Sequence, residues 1–512
     1  MKRIYLMTLV ASILGVSLGS CDLKRTPTDA IPTDESLQTV VDLSRWETGA
    51  TVALRSMQQD LYVVTQDLQA DQIVATSIQA NHYAGSLAWD ALTTSDYDRR
   101  DVYIKYYQTI ANVNKALNEA KGLTVPDKAK DRYDQLIGRL HFIRAYCYAN
   151  LAVRYGIPYK AESAKTDLCV PLLLKYEPQG TPERATNEAI YDQILNKDLA
   201  EARKLLAKTA GKPMATDVTK DAVEALDARV RLYMSDWAGA LSTAKKLIDA
   251  GTYPLVEPKA ENFTSMWVND NSKEEILQLS VSRPDETVYL EPYFGASTDK
   301  KRSDGTEGVN APDYLPTQQT LDLYDDSDLR KAVYFDKQEC NLKDKFYQFY
   351  LIAKHKGNPE FAENTNKKFT YWGGYLPNTM HKPKVFRIAE MYLIASEAAY
   401  KTNDEGAAKK YLNALRKSRG LDDVTSSGDA LYNDIKDERT RELAFEGFRL
   451  WDLRRWNMPV KRGAIEVNGG YDHLRPGVYN VEYKAGDFRF LWPIPANDIN
   501  TNKNLVQNPG WN

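Results

Sequence analysis

Long apolar runs are scarce in this chain. Beyond Leu18 no stretch approaches the roughly 18–20 apolar residues of a membrane-spanning helix, so no later segment is expected to cross a bilayer as a helix. Cysteine is scarce too: 4 in 512 residues, irregularly spaced, which is no disulfide framework. The 5 histidines (His82, His141, His355, His381, His473) show neither His-Glu-x-x-His nor a paired zinc spacing, so no metal site is expected. Excess positive charge is absent, with 67 Lys and Arg against 70 Asp and Glu and a net charge of −3, which excludes an electrostatic nucleic-acid binder.

Catalytic motifs are also missing. Gly15-Val16-Ser17-Leu18-Gly19 matches an esterase elbow but falls in the apolar leader. Ser242-Thr243-Ala244-Lys245 sits mid-helix without the companion motifs of a penicillin-interacting enzyme. There is no glycine-rich phosphate loop and no calcium loop. The expectation is a protein that is not an enzyme and carries no cofactor.

The N-terminus carries the most specific local signal. Lys2 and Arg3 precede an apolar stretch, Ile4 to Leu18, too short to span a bilayer, as in a secretory signal. Leu18-Gly19-Ser20-Cys21 then reads as a bacterial lipobox, with small residues before a cysteine suited to lipidation. One acyl chain holds a protein only marginally, at about 0.8 kcal/mol per buried methylene; two or three on Cys21 make the anchor durable. Residues 1–20 are read as the signal peptide and 21–33 as a polar, proline-containing tether.

Helical periodicity dominates residues 34–251, read as a helical scaffold. Leu43 to Tyr62 and Val102 to Leu123 are amphipathic, and Tyr133 to Tyr155 carries Leu136, Leu140, Ile143 and Cys147 at helical spacing, with Gly156 and Pro158 as its stop. Asn187 to Lys208 follows. Asp221 to Met234 and Ala238 to Ala250 form an antiparallel pair around the turn Ser235-Asp236-Trp237, with alanines at 222, 225, 228, 238, 240 and 244 permitting close approach, like a tetratricopeptide unit. Lys384 to Tyr400 with Gly406 to Ser418 makes a second pair in the C-terminal region, 384–512. Between them, 252–383 reads as an irregular, aromatic-rich insertion with short strands such as Ile276 to Ser280. The fold class is mostly α: a tetratricopeptide-like helix-pair scaffold with a loop-rich insertion.

Asp437 to Trp456 is apolar all round, so it is expected to be one buried helix whose charges pair locally: Glu438 with Arg441, Glu446 with Arg449, Asp452 with Arg455. The run Arg441-Glu442-Leu443-Ala444-Phe445-Glu446-Gly447-Phe448-Arg449, then Asp452-Leu453-Arg454-Arg455-Trp456, resembles the C-terminal signature of SusD-like (RagB/SusD) lipoproteins. So does the ending Trp492-Pro493-Ile494-Pro495 with Asn508-Pro509-Gly510-Trp511, and so do Arg144-Ala145-Tyr146, Val170-Pro171-Leu172 and Arg387-Ile388-Ala389-Glu390-Met391-Tyr392. The resemblance implies a SusD-like fold and a lipid-anchored, surface-exposed protein of the bacterial outer membrane. It also implies a SusC-like TonB-dependent transporter as partner and nutrient binding rather than catalysis. The ligand it implies is an oligosaccharide or polysaccharide, the alternative being a peptide. The alternative outside that family is a helical-repeat scaffold that binds only proteins.

A sugar receptor needs aromatic platforms flanked by polar groups. Three loop-like clusters qualify: Asn81 and Tyr83 with Trp89; Tyr371-Trp372-Gly373-Gly374-Tyr375; and Tyr293 with Tyr289 and Phe294. Asn81, Tyr83, Trp89, Tyr293, Tyr371, Trp372 and Tyr375 are the candidate ligand residues.

Overall fold

The computed structural model describes residues 36–80, 83–281, 311–361 and 379–511, with short pieces between 288 and 309. The lipobox and Cys21 lie outside the described residues. The N-terminal scaffold opens with α1 (Val40–Ser56), α2 (Tyr97–Glu119) and α3 (Lys130–Tyr155). Thr39 starts α1 through a capping box: its hydroxyl accepts from the Asp42 N–H, and the Asp42 carboxylate accepts from the Thr39 N–H. In α3 the stripe Leu136, Leu140, Ile143 and Cys147 is fully buried. Its stop works differently from the expectation. Gly156 has φ −83°, not a left-handed value. Glycine is needed there for space, because a Cβ would lie 2.5 Å from Cys169 Sγ and 2.7 Å from the Ala152 carbonyl.

The predicted helix Asn187 to Lys208 is divided. Regular turns at Asn187–Asp192 and Leu199–Leu205 flank a wider π-turn, Gln193–Asp198. That segment brings Asp198 under Arg144, which donates to both carboxylate oxygens at 3.0 and 2.6 Å. The alanine-rich pair follows as α4 (Lys220–Met234) and α5 (Trp237–Asp249), joined through Ser235 at φ 59°. Ala222, Ala225, Ala228, Ala240 and Ala244 are buried where the helices meet, whereas Ala238 is exposed.

Two short antiparallel pairings stitch the insertion to the scaffold. β1 (Ile73–Ala75) pairs with β3 (Tyr314–Pro316), and β2 (Glu275–Gln278) with β6 (Lys384–Arg387). Residues 384–387, expected as the first turn of a helix, are therefore a strand. Helix α6 (Ile388–Lys401) begins only after the Arg387 backbone has paired with Glu275. It packs on α7 (Glu405–Ser418) as the second helix pair. Within the insertion, β4 (Phe335–Leu342) and β5 (Lys345–Ile352) form a hairpin closed by Lys343 and Asp344, both at positive φ (54° and 63°), the geometry of a type I′ turn.

The C-terminal motif is not one helix. It forms α8 (Gly428–Glu442), a tight turn, and α9 (Arg449–Arg455). Phe445 and Gly447 take left-handed φ values of 63° and 80°. The Gly447 N–H donates to Asp67 Oδ2 at 2.9 Å, and a Cβ on Gly447 would lie 2.6 Å from Gln66 Nε2. A continuous helix would point Glu446 toward Arg449. The break swings it into the interior instead, where stronger partners wait.

Candidate functional site

Those partners form a buried charge cluster. Glu442 accepts from Arg387 Nη1 (2.6 Å) and Arg419 Nη2 (2.9 Å) on one oxygen, and from Arg330 Nη1 (3.0 Å) and Arg419 Nε (2.9 Å) on the other. Burial alone would raise its pKa; the guanidiniums of Arg419 and Arg387 prevail and hold it well below the usual carboxylate range. Glu446 accepts from Arg387 (2.5 Å) and Lys354 (2.8 Å). Arg449 instead reaches back to Asp71 at 2.8 Å from two nitrogens. The expected Glu446–Arg449 pair is thus replaced by long-range partners, while Glu438–Arg441 (2.9 Å) and Asp452–Arg455 (2.7 Å) form as expected. With Glu438, Glu442, Glu446 and Asp452 each committed to a cation, this cluster clamps the C-terminal motif to the insertion.

Of the seven candidate ligand residues, Asn81, Tyr371, Trp372 and Tyr375 lie outside the described residues. The other three were expected on the surface and are interior packing groups. Trp89 is 0 % exposed, stacks on Tyr483 with centroids 4.4 Å apart, and donates Nε1–H to the Gln69 carbonyl at 2.9 Å. Tyr83, also 0 % exposed, donates its hydroxyl to Asp60 Oδ1. Tyr293 stacks against His355 and donates to Asp67 Oδ2 at 2.7 Å. A ring with a satisfied polar tip gains about 1.5–3 kcal/mol on burial, which outweighs exposure in a loop. The desolvation that buries Asp67 raises its pKa to about 7, against the lowering effect of the Tyr293 hydroxyl.

A surface groove of about 500 Å³ runs beside the β4–β5 hairpin instead. Period-2 alternation along β5 turns Phe349 and Leu351 inward and sets Phe346, Gln348 and Tyr350 on the outer face, with Phe346 43 % exposed. Register places Lys337 opposite Tyr350, its Nζ 5.6 Å from the ring centre. Asp322, Asp325 and Glu466 complete the polar wall, and Gln318 Nε2 orients Asp322 through a 2.7 Å bond. Lys331 hydrogen-bonds Asp326 at 2.7 Å and holds its carboxyl below the usual range. Acids outnumber lysines on this rim, so the groove suits neutral, hydroxyl-rich ligands better than polyanions. Tyr350 is not among the candidate ligand residues that the sequence alone offers. The signal that singles it out is the alternating run Lys345 to Ile352, once its inward face is known.

Comparison with known proteins agrees at both ends of the chain. A family model described as "Starch-binding associating with outer membrane" matches residues 29–232, and one described as "SusD family" matches residues 361–511. The chain belongs to the SusD family. This SusD-family protein is 23 % identical over 545 aligned positions to the SusD-like protein P38 of Formosa agariphila, covering 99 % of each chain. It is 33 % identical over 131 residues to the starch-binding protein SusD of Bacteroides thetaiotaomicron, covering 25 % of this chain and 21 % of that one. Two solved structures from Bacteroides vulgatus share the fold. A SusD superfamily protein superposes with a TM-score of 0.73 at 21 % identity, covering 93 % of this chain and 100 % of that one. A SusD-like carbohydrate binding protein superposes with a TM-score of 0.72 at 19 %, covering 92 % and 98 %. The mostly helical architecture expected from the sequence is that of the family. Among the described residues of the SusD-family chain, no helix is long and apolar enough to cross a membrane.

Proposed function

We propose that this protein binds oligosaccharides or polysaccharides at the bacterial cell surface, held there by lipid on Cys21, and passes them to a SusC-like TonB-dependent transporter. The observation that carries the reading is the match of residues 29–232 to the starch-binding, outer-membrane-associated family model. Relatives named as starch-binding and carbohydrate binding support it. So does a groove in which a tyrosine face lies among carboxylates, an amide and a lysine. Sugar C–H faces pack on such rings while hydroxyls pair with the flanking polar groups.

The test is calorimetric titration of the chain from Asp22 onward with neutral and acidic oligosaccharides and mixed peptides. Tyr350→Ala and Trp372→Ala are titrated alongside. Saccharide binding that Tyr350→Ala weakens supports the reading and locates it on the hairpin; loss in Trp372→Ala alone keeps the function and moves the platform. Binding of peptides and of no saccharide overturns it. Co-purification of the lipidated chain with a large outer-membrane barrel in detergent tests the transporter partnership.

A further inference from the structure

A second concavity lies inside the molecule, between α3, α4 and the Leu443–Phe448 turn that breaks the C-terminal motif. It is partly enclosed and offers about 120 Å³ of space to water. At about 10–15 Å³ per water-sized centre, this is room for about ten non-hydrogen atoms. That is the size of one pyranose and too small for a chain of them.

Polar groups with unused hydrogen-bonding capacity line it. Glu446 spends Oε1 on both Arg387 and Lys354, and its Oε2 accepts nothing among the described residues. Arg229 uses Nε and Nη2 on Glu390 (2.7 and 2.6 Å) and Nη2 also on the Val385 carbonyl, which leaves Nη1 without a bond among the described residues. Gln58 donates to Tyr146 Oη at 2.8 Å and to the Leu54 carbonyl at 3.1 Å, while its own Oε1 is unused. The hydroxyls of Tyr62 and Tyr233 line the same space and make no hydrogen bond among the described residues. These oxygens and nitrogens are not sealed against neighbouring atoms, unlike the buried, unpaired Gln66 Oε1 and Trp451 Nε1 nearby. Apolar flanks come from Val153, Leu226, Val230 and Phe448.

The chemical class follows from this arrangement. Most wall charges are internally balanced: Arg229 by Glu390, Lys384 by Asp270 at 2.5 Å, and Arg387 by Glu442 and Glu446. What remains is the Arg154 guanidinium, which donates to Asn150 Oδ1 and the Tyr62 carbonyl and meets no carboxylate among the described residues, with two tyrosine hydroxyls, one amide oxygen, one carboxylate oxygen and the Arg229 Nη1–H. Donors and acceptors mixed beside apolar flanks, with the other wall cations paired to carboxylates, complement a polyol better than an anion. We propose that this chamber binds a single free monosaccharide, separately from the hairpin groove. The proposal rests on the saccharide-binding reading above and adds a second site of defined size to it.

The full chain from Asp22 is titrated with D-glucose, D-galactose, D-xylose and glycerol, and separately with sodium acetate and phosphate. Tyr62→Phe, Tyr233→Phe, their double variant and Tyr350→Ala are compared, with thermal melting as the check on folding. The expected result is one monosaccharide per chain. Each hydroxyl deletion weakens it about three- to tenfold, as loss of one hydrogen bond does, and Tyr350→Ala leaves it unchanged. Oligosaccharide binding with no monosaccharide binding overturns the chamber site and leaves the proposed function standing. Monosaccharide binding that the double variant leaves intact also overturns it, as does binding of acetate or phosphate in place of sugar. Absence of binding by saccharides of every length overturns both readings.

Discussion

Replacing Glu442 by glutamine tests whether the charge cluster holds the C-terminal motif in place. The carboxylate is 1 % exposed and takes four hydrogen bonds, from Arg330, Arg387 and twice from Arg419. Glutamine keeps one acceptor oxygen and turns an NH₂ toward guanidiniums that can only donate. Arg330 would retain Asp328 and Glu438, and Arg419 would retain Glu274, but Arg387 would be left with a Glu446 that it shares with Lys354. Breaking a buried ion pair costs about 3–5 kcal/mol, and these surviving partners place the expected loss near about 3 kcal/mol. At about 2.1 cal/mol/K per residue, the unfolding entropy of a chain this long is about 1 kcal/mol/K, so the melting midpoint should fall by about 3 °C. Differential scanning calorimetry at pH 7 measures it, with Lys204→Ala, which removes an exposed pair with Glu201, as the control expected to melt with the wild type. A Glu442→Gln midpoint within 1 °C of wild type would refute the reasoning and show that the arginines are satisfied without this carboxylate.

Three further outcomes follow from the same geometry. Glu275 is fully buried with both carboxylate oxygens unpaired, and burial raises its pKa to about 8. An acid whose folded pKa is raised costs stability increasingly as pH climbs from its unfolded value, about 4.5. Glu275→Gln should therefore raise the midpoint at pH 8 and scarcely at pH 4.5, and an equal gain at both would contradict this. Glu438 and Glu397 have the opposite sign. Burial alone would raise both, but Arg330 and Arg455 hold them at about 2, so their contribution is complete above about pH 4.5 and lost as pH falls toward 2, visible as acid unfolding in that window. Trp89→Ala should cost about 3–5 kcal/mol of stability through the cavity it leaves, so a variant that melts normally while losing saccharide binding would restore Trp89 as a ligand platform.

Sequence patterns reached the helices because their information is local. Leu136, Leu140, Ile143 and Cys147 recur at the helical period and pack on one face whatever lies opposite, and small alanines announce two helices in close contact. The shared motif was legible for the same reason, as a contiguous run of residues. Local reasoning failed where a distant partner outbids a near one. Glu446 and Arg449 stand at ideal helical spacing, yet Lys354, Arg387 and Asp71 offer them buried bonds, and Gly447 supplies the left-handed turn that lets both reach. Lys384 to Arg387 has helical neighbours but pairs with Glu275 to Gln278, about a hundred residues earlier in the insertion.

The same division governs the site. Sequence alone pointed to a mostly helical chain with an aromatic-rich insertion and a lipobox-like N-terminus, because composition and short motifs carry that kind of information. Which rings face water was decided only by tertiary packing. Trp89 meets Tyr483, and Tyr293 meets Asp67, across more than two hundred residues of chain, so both turn inward. Tyr350 stays partly open because β5 is paired along one edge and the cluster around Phe335 and Ile352 covers only part of its ring. Whether a tyrosine ends as core or as platform depends on what the rest of the chain brings to its other side, and no local pattern records that.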